Sequence, residues 1–297
     1  MPGVRLTKKC ALLALALALL LGPVPGLFAQ ASQSATGRLL LATIVDATGK
    51  MQVDFGVDDF LIQEGGDERE VLDVHVADYP LVVLIDDAPE ANALDAIKAA
   101  TARFIARVGE RPVAVGTLSR PSEFIAALDD AREDVLERVD KLTTISGNAS
   151  TLPAVAHAAR VLQDTGSPFS AIVVVTSRAI DARVPVEGDL LPAIADSGAA
   201  VHVVESRSPP LSSADGVASE VVPDLLRVLA DQTHGQYTTI YAAASYTIAL
   251  DRLADRLATE MMIQYLVPQG AASASGNDVR VGVKIPGARV TGLGVSR

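Results

Sequence analysis

Two hydrophobic patterns alternate along this chain. The runs LVVLI at Leu81 to Ile85 and AIVVV at Ala171 to Val175 are apolar at every position, and AVHVV at Ala200 to Val204 is interrupted only by a histidine. A strand apolar on both faces is buried on both faces, as in a parallel sheet covered by helices. Between such runs the spacing is helical. Glu90 to Val108 places Leu94, Ile97, Ala100, Thr101, Phe104 and Ile105 on one face, and Ala131 to Leu142 does the same with Val135, Leu136 and Val139. Further helices are predicted over Leu152 to Leu162, Leu190 to Ala195 and Val222 to Asp231, with a long amphipathic one over Tyr246 to Met262. Strands are expected at Pro112 to Leu118, Glu123 to Leu128 and Gln236 to Tyr241. Parallel neighbours need crossover connections, so the predicted fold class is α/β, a doubly wound, mostly parallel sheet with small flanking β segments.

The flanking segments follow another rhythm. Leu39 to Val45, Phe60 to Gln63 and Val71 to Val76 read as short strands, separated by turns at Asp46 to Lys50 and at Glu64-Gly65-Gly66-Asp67. The resulting layout is an N-terminal β segment over 32–78, an α/β domain over 79–264 and a C-terminal β tail over 265–297, expected to pack with the N-terminal segment. With 4% aromatic residues and no Trp, the core has to be built from Val, Leu, Ile and Ala.

Residues 1–31 stand apart. Arg5, Lys8 and Lys9 precede an apolar run from Ala11 to Leu21, the run breaks at Gly22, Pro23, Pro25 and Gly26, and Ala29-Gln30-Ala31 offers a small-x-small cleavage pattern. This is the pattern of a secretory signal peptide, too short for a span of about 20 apolar residues, with cleavage expected after Ala31 or Ala29. The expectation is an exported protein, periplasmic or secreted, with no stable membrane anchor once the signal is removed. The lone cysteine, Cys10, lies inside the signal, so the remaining chain has no thiol for a disulfide, metal or nucleophile. The net charge is -11; three of the 25 basic and none of the 36 acidic residues lie in the first 31, which leaves -14 beyond them. Phosphate-backbone binding needs a basic face, and beyond the signal the basic residues form no more than isolated pairs such as Arg103 with Arg107, so nucleic acid is not expected as a partner.

Ligands of open parallel sheets bind beyond the carboxyl ends of the strands. Here those ends carry Asp86-Asp87, Thr176-Ser177 and Glu205-Ser206, with the loop Gly147 to Thr151 entering its helix near the same edge. Neither Gly-x-Gly-x-x-Gly nor a phosphate-binding Gly-x-x-x-x-Gly-Lys-Ser/Thr occurs.

LVVLIDDAPEA from Leu81 to Ala91 resembles the first strand and loop of a von Willebrand factor type A domain, where the strand runs into Asp-x-Ser-x-Ser. GNASTLPAV from Gly147 to Val155 resembles that family's Gly-Thr-x-Leu turn, and VVVTS from Val173 to Ser177 its strand ending in Thr-Asp. Asp46 to Val74 is similar to the β segment preceding the domain in a group of exported, acidobacterial-type relatives, and MIQYLVP with VRVGVKIPGARV is similar to their C-terminal strands. The resemblance covers nearly the whole chain beyond the signal.

It implies a metal-ion-dependent adhesion site of one Asp and two Ser on the first loop, a Thr on the second and an Asp on the third. Of these Asp86 is retained; Ala88 and Glu90 stand at the Ser positions, Ser150 or Thr151 at the Thr, and Ser177 at the second Asp. Mg²⁺ wants near-octahedral oxygen ligands and alanine supplies none, so the resemblance implies a degenerate site, no cofactor, and at most weak Mg²⁺ on Asp86, Asp87, Glu90 and Ser150. The candidate binding residues are Asp86, Asp87, Glu90, Ser150, Thr151 and Ser177.

The histidines His75, His157, His202 and His234 are scattered. A serine hydrolase using Ser177 or Ser206 with Asp86 is the rival enzymatic reading, but the Gly-x-Ser-x-Gly elbow is missing. The function expected is therefore non-catalytic binding of a protein or cell-surface ligand; the alternative is a structural component of an envelope assembly.

Overall fold

A computed structural model describes residues 35–89, 93–119, 123–145, 150–180, 190–207, 224–270 and 278–295. Its strands are β1 (Ala35–Val45), β2 (Phe60–Glu64), β3 (Asp67–Arg69), β4 (Val71–Val76), β5 (Leu81–Ile85), β6 (Val113–Thr117), β7 (Phe124–Ala126), β8 (Ala171–Thr176), β9 (Ala200–Ser206), β10 (Tyr237–Ile240), β11 (Glu260–Pro268), β12 (Val279–Val283) and β13 (Arg289–Val295). Its helices are α1 (Leu94–Arg107), α2 (Arg132–Asp140), α3 (Thr151–Asp164), α4 (Leu190–Asp196), α5 (Leu225–Gln232) and α6 (Ser245–Leu257).

The fully apolar runs form the middle of a six-stranded sheet in the order β10-β9-β8-β5-β6-β7. All neighbours are parallel except β7, an antiparallel edge strand. Alternation along β5 divides the core in two. Leu81, Val83 and Ile85 pack with Ile97 and Phe104 of α1 and with Tyr246, Leu250 and Leu253 of α6, whereas Val82 and Leu84 pack with Val155, Ala158 and Leu162 of α3 and with Leu226 and Leu229 of α5. The sheet is thus covered by helices on both faces.

The flanking β segments are more substantial than expected. They build two further sheets, four-stranded β13-β1-β11-β4 and three-stranded β12-β2-β3. The C-terminal strands reach back to the N-terminal ones, β13 pairing with β1 and β12 with β2, both antiparallel. A separate core of Leu40, Ala42, Ile44, Phe60, Ile62, Met261, Ile263 and Tyr265 lies within this β region. The hairpin from β2 to β3 turns on Gly65 (φ 63°) and Gly66 (φ 92°). Positive φ at both central residues is the type I′ geometry whose twist suits a two-residue hairpin, and glycine reaches it without strain.

The long helix predicted to reach Met262 ends at Leu257 instead. The Thr259 hydroxyl donates to the carbonyls of Asp255 (2.8 Å) and Arg256 (3.0 Å), satisfying the last turn. Met261, Ile263, Tyr265 and Val267 then alternate with period two into the β core, so β11 begins where the helix was expected to continue, and it runs across residue 264.

At the amino end of β5 a buried polar knot ties the sheets together. Arg111 donates to the carbonyls of Ala77 (2.7 Å), Leu257 (2.7 Å) and Val108 (3.1 Å) and lies over the Tyr79 ring, and the Tyr79 hydroxyl donates to Glu260 at 2.5 Å.

Candidate functional site at the strand ends

The carboxyl end of β5 is held from three sides. Asp86 N–H donates to Val175 O of β8 (2.9 Å), Leu118 N–H to Ile85 O (2.9 Å), and Ile145 N–H to Asp87 O (3.1 Å). Ser150 N–H donates to Leu118 O (2.5 Å), which brings the start of α3 to the same edge. The crossovers therefore deliver segments far apart in sequence to one place.

Asp86 is fully buried, and both of its carboxylate oxygens accept hydrogen bonds from the protein. Oδ2 takes the Ser177 amide (3.1 Å) and the Ser177 hydroxyl (2.8 Å), and Oδ1 takes the Ala88 amide (3.2 Å). These contacts fix the carboxylate and the donors around it in one arrangement. Asp86 and Ser177, 91 positions apart, are thus joined directly.

Asp87 is only 4% exposed, and its Oδ1 has no hydrogen-bond partner. Burial raises its carboxyl above the ordinary range, an effect partly offset by a hydrogen bond with Ser119 and reinforced by the charge of Asp86. Ser150 and Thr151 are buried at the head of α3; Ser150 is the N-cap residue, without a side-chain cap bond. Glu90, and Gly147 to Ala149 of the second loop, lie outside the described residues.

Several participants escaped the sequence reading. Ser119 bonds Thr117 (3.0 Å) and meets Asp87; Arg178 donates to Ala88 O (2.5 Å), linking the first and third loops; and the buried Tyr246 of α6 donates to Thr176 O (2.9 Å). Only the position of Arg178 directly after Ser177 hinted at any of these. Farther along the same edge, Glu205 and Asp224 share Arg207 and the Tyr237 hydroxyl, which lies 2.5 Å from Glu205 Oε2 and 2.8 Å from Asp224 Oδ2. Burial, with the hydrogen bond to Asp224, raises Glu205; burial opposes the charge of Asp224 too, but hydrogen bonds from Glu205 and Tyr237 hold it below its usual range.

The histidines stand apart from this edge in their contacts. His202 is buried, its Nδ1 accepts from Gln236 N (3.1 Å), and burial together with the Arg256 charge pushes it down to about 3. His157 packs edge-on against Phe124, and His75 pairs with Asp73. Among the described residues no three His, Cys, Asp or Glu side chains are grouped so as to hold a metal ion.

The solved structures similar to this chain include von Willebrand factor type A domains. One is a von Willebrand factor type A protein from Catenulispora acidiphila, 14% identical over 91% of this chain and 75% of that one, with a TM-score of 0.49. Another is the SpRpn10 VWA domain, 13% identical over 60% and 95%, TM-score 0.44; a third is the conserved hypothetical protein BatB from Bacteroides thetaiotaomicron, 12% identical over 60% and 98%, TM-score 0.43. No family model matches the chain, and no curated protein matches it. At such identities and TM-scores the likeness carries no argument about function, which rests on this chain's own residues.

Proposed function

We propose that this is an exported, non-catalytic binding protein with a doubly wound, von Willebrand factor A-like domain. Its strand-end edge, with Asp86, Asp87, Ser150, Thr151 and Ser177, engages a protein or cell-surface ligand without a metal ion. The observation that carries this reading is the satisfaction of Asp86: protein N–H and O–H groups occupy both oxygens that a cation would need. Ala88 adds no side-chain ligand, and the donor set does not fit the octahedral oxygen shell of Mg²⁺. The hydroxyl of Ser177 donates to a buried carboxylate, and His202 and His75 bond elsewhere, which supports binding rather than acyl transfer. Export rests on residues 1–31; among the described residues no helix is long and apolar enough to cross a membrane.

The test is affinity capture from native envelope with the exported chain, in parallel with Asp87→Ala and Ser177→Ala variants shown by circular dichroism to be folded. The expected result is a partner held by the wild type, unaffected by chelator and lost in both variants. Capture unchanged in both would transfer the function to the β region and favour a structural role in an envelope assembly.

A further inference from the structure

A second surface lies at the β10 edge of the central sheet, three strands from the β5 end that carries Asp86 and Asp87. Among the described residues β10 pairs with β9 on one side only, and it is the last strand of the six-stranded order. The carbonyls of Gln236 and Ile240 point to β9, where they accept from Val203 and Arg207. Alternation then turns the main-chain groups of Tyr237 and Thr239 outward, so that among the described residues their donors and acceptors face away from the sheet.

Beside that row runs α6. Ser245, Ile248, Ala249 and Arg252 recur at the i, i+3, i+4, i+7 spacing that makes one helical stripe, and they form one wall of a groove of about 350 Å³ whose other wall is Thr238 to Tyr241. Ile248 and Tyr241 are each 57% exposed, the highest values among the large exposed apolar side chains of the described residues. Arg252 is exposed and, among the described residues, makes no hydrogen bond or ion pair, although its helix is rich in both. Asp251 and Asp255 are engaged by Arg103 and Arg107 of α1, and Arg256 faces Glu260. A lone cation beside apolar side chains and an open strand edge is complementary to an extended chain that carries a carboxylate.

We propose that the groove between β10 and α6 takes an extended segment of a partner protein, added to β10 as a further strand, with an apolar side chain between Tyr241 and Ile248 and a carboxylate on Arg252. Main-chain pairing supplies affinity in this mode of recognition, and the pockets for alternate side chains supply selectivity. A second copy of the chain is a poorer occupant, because two strongly acidic chains, of net charge -14 beyond residue 31 (22 basic against 36 acidic), repel each other.

The probe is a panel of fluorescein-labelled six-residue peptides of alternating Val and Thr, with a single Glu moved through each position, and the matching Gln peptides. Anisotropy titration of the full exported chain should find at least one Glu peptide with a dissociation constant below about 1 mM. Its Gln counterpart should bind roughly fivefold more weakly, as should the wild-type peptide with Arg252→Glu, the scale of a favourable exposed ion pair. Thr239→Pro removes an outward N–H, a change an edge strand tolerates, and should abolish binding while circular dichroism stays unchanged. Ile248→Asp, at an exposed position, checks the apolar contact independently and should also abolish it. The proposal is overturned if no peptide binds, if any one of the three variants binds like the wild type, or if sedimentation shows a dimer that Thr239→Pro dissociates, since the occupant would then be a second copy.

Discussion

The two ends of β5 bury acidic groups in opposite ways. At the amino end, Glu260 is met by a tyrosine hydroxyl and two arginines, and Arg111 spreads its donors over three carbonyls from separate elements. Groups of opposite charge face each other there and join the central sheet to β11. At the carboxyl end Asp86 is met by neutral donors alone, and Asp87 keeps one oxygen without a partner. The loops are tied together there too, but the hydrogen bonds shown to the two carboxylates come from amides and hydroxyls and not from arginine or lysine. A buried charge that only joins elements is best neutralised; one left uncompensated at a strand-end edge has capacity for a ligand.

The comparison breaks first at Asp86. If its carboxylate organises the upper end, Asp86→Ala strands three donors, the Ser177 amide and hydroxyl and the Ala88 amide, and should cost about 2–4 kcal/mol. Urea denaturation measures this as a fall in midpoint at constant slope. A loss under about 1 kcal/mol would mean that the backbone bonds from Val175, Leu118 and Ile145 hold the loops without it.

The lower end sharpens the contrast through pH. Burial raises the Glu260 carboxyl above its ordinary range, outweighing Tyr79, Arg256 and Arg111. Its folded form binds a proton more tightly than the unfolded chain, so the associated stability is fully present below the unfolded pKa of about 4.3 and is lost as pH rises through the folded value. Glu260→Gln cannot ionise yet still accepts from Tyr79. Its stability relative to wild type should therefore climb as pH rises from about 4.3 through the folded value. A relative stability that falls over that interval would show that the arginines, not burial, govern the site.

How much of this could be read from sequence varies with the kind of interaction. Leu81 to Ile85 and Ala171 to Val175 were legible because strands buried on both faces permit no polar position, and such runs admit few other readings. The end of α6 was not, because Met261-Met262-Ile263 satisfies a helical period and an alternating one equally; the sheet that receives Met261 and Ile263 decides between them. At the strand ends, Asp86, Asp87 and Ser177 were placed at one edge by the fold rule alone, and the structure joins Asp86 to Ser177. Ser119 and Arg178 were invisible, since their contacts run between loops whose approach depends on the crossovers. The three-residue strand β3 owes its existence to its partner β2 rather than to its own residues, whereas β7 falls within the strand expected over Glu123 to Leu128.

The smallest effect expected is that of magnesium. A type A site of the resembled kind leaves one position on the ion for an acidic group of the partner, so recognition fails without metal. Here Ala88 withdraws one hydroxyl, Ser177 stands where a carboxylate would be, and Asp86 has given both oxygens to protein donors. For an ion to enter, those hydrogen bonds would have to break, and the buried Asp87 oxygen alone offers too few ligands to repay dehydration. An acidic partner would be repelled by Asp86 and Asp87, whereas a basic or neutral hydrogen-bonding one would not. The expectation is Mg²⁺ or Mn²⁺ binding no tighter than the millimolar range, about 4 kcal/mol, and partner binding indifferent to chelator. Titration calorimetry with both ions is the measurement. Micromolar affinity that disappears in Asp86→Ala would show that the aspartate can release Ser177 and Ala88 to the ion, and the contrast between the two ends of β5 would then be one of occupancy, not of design.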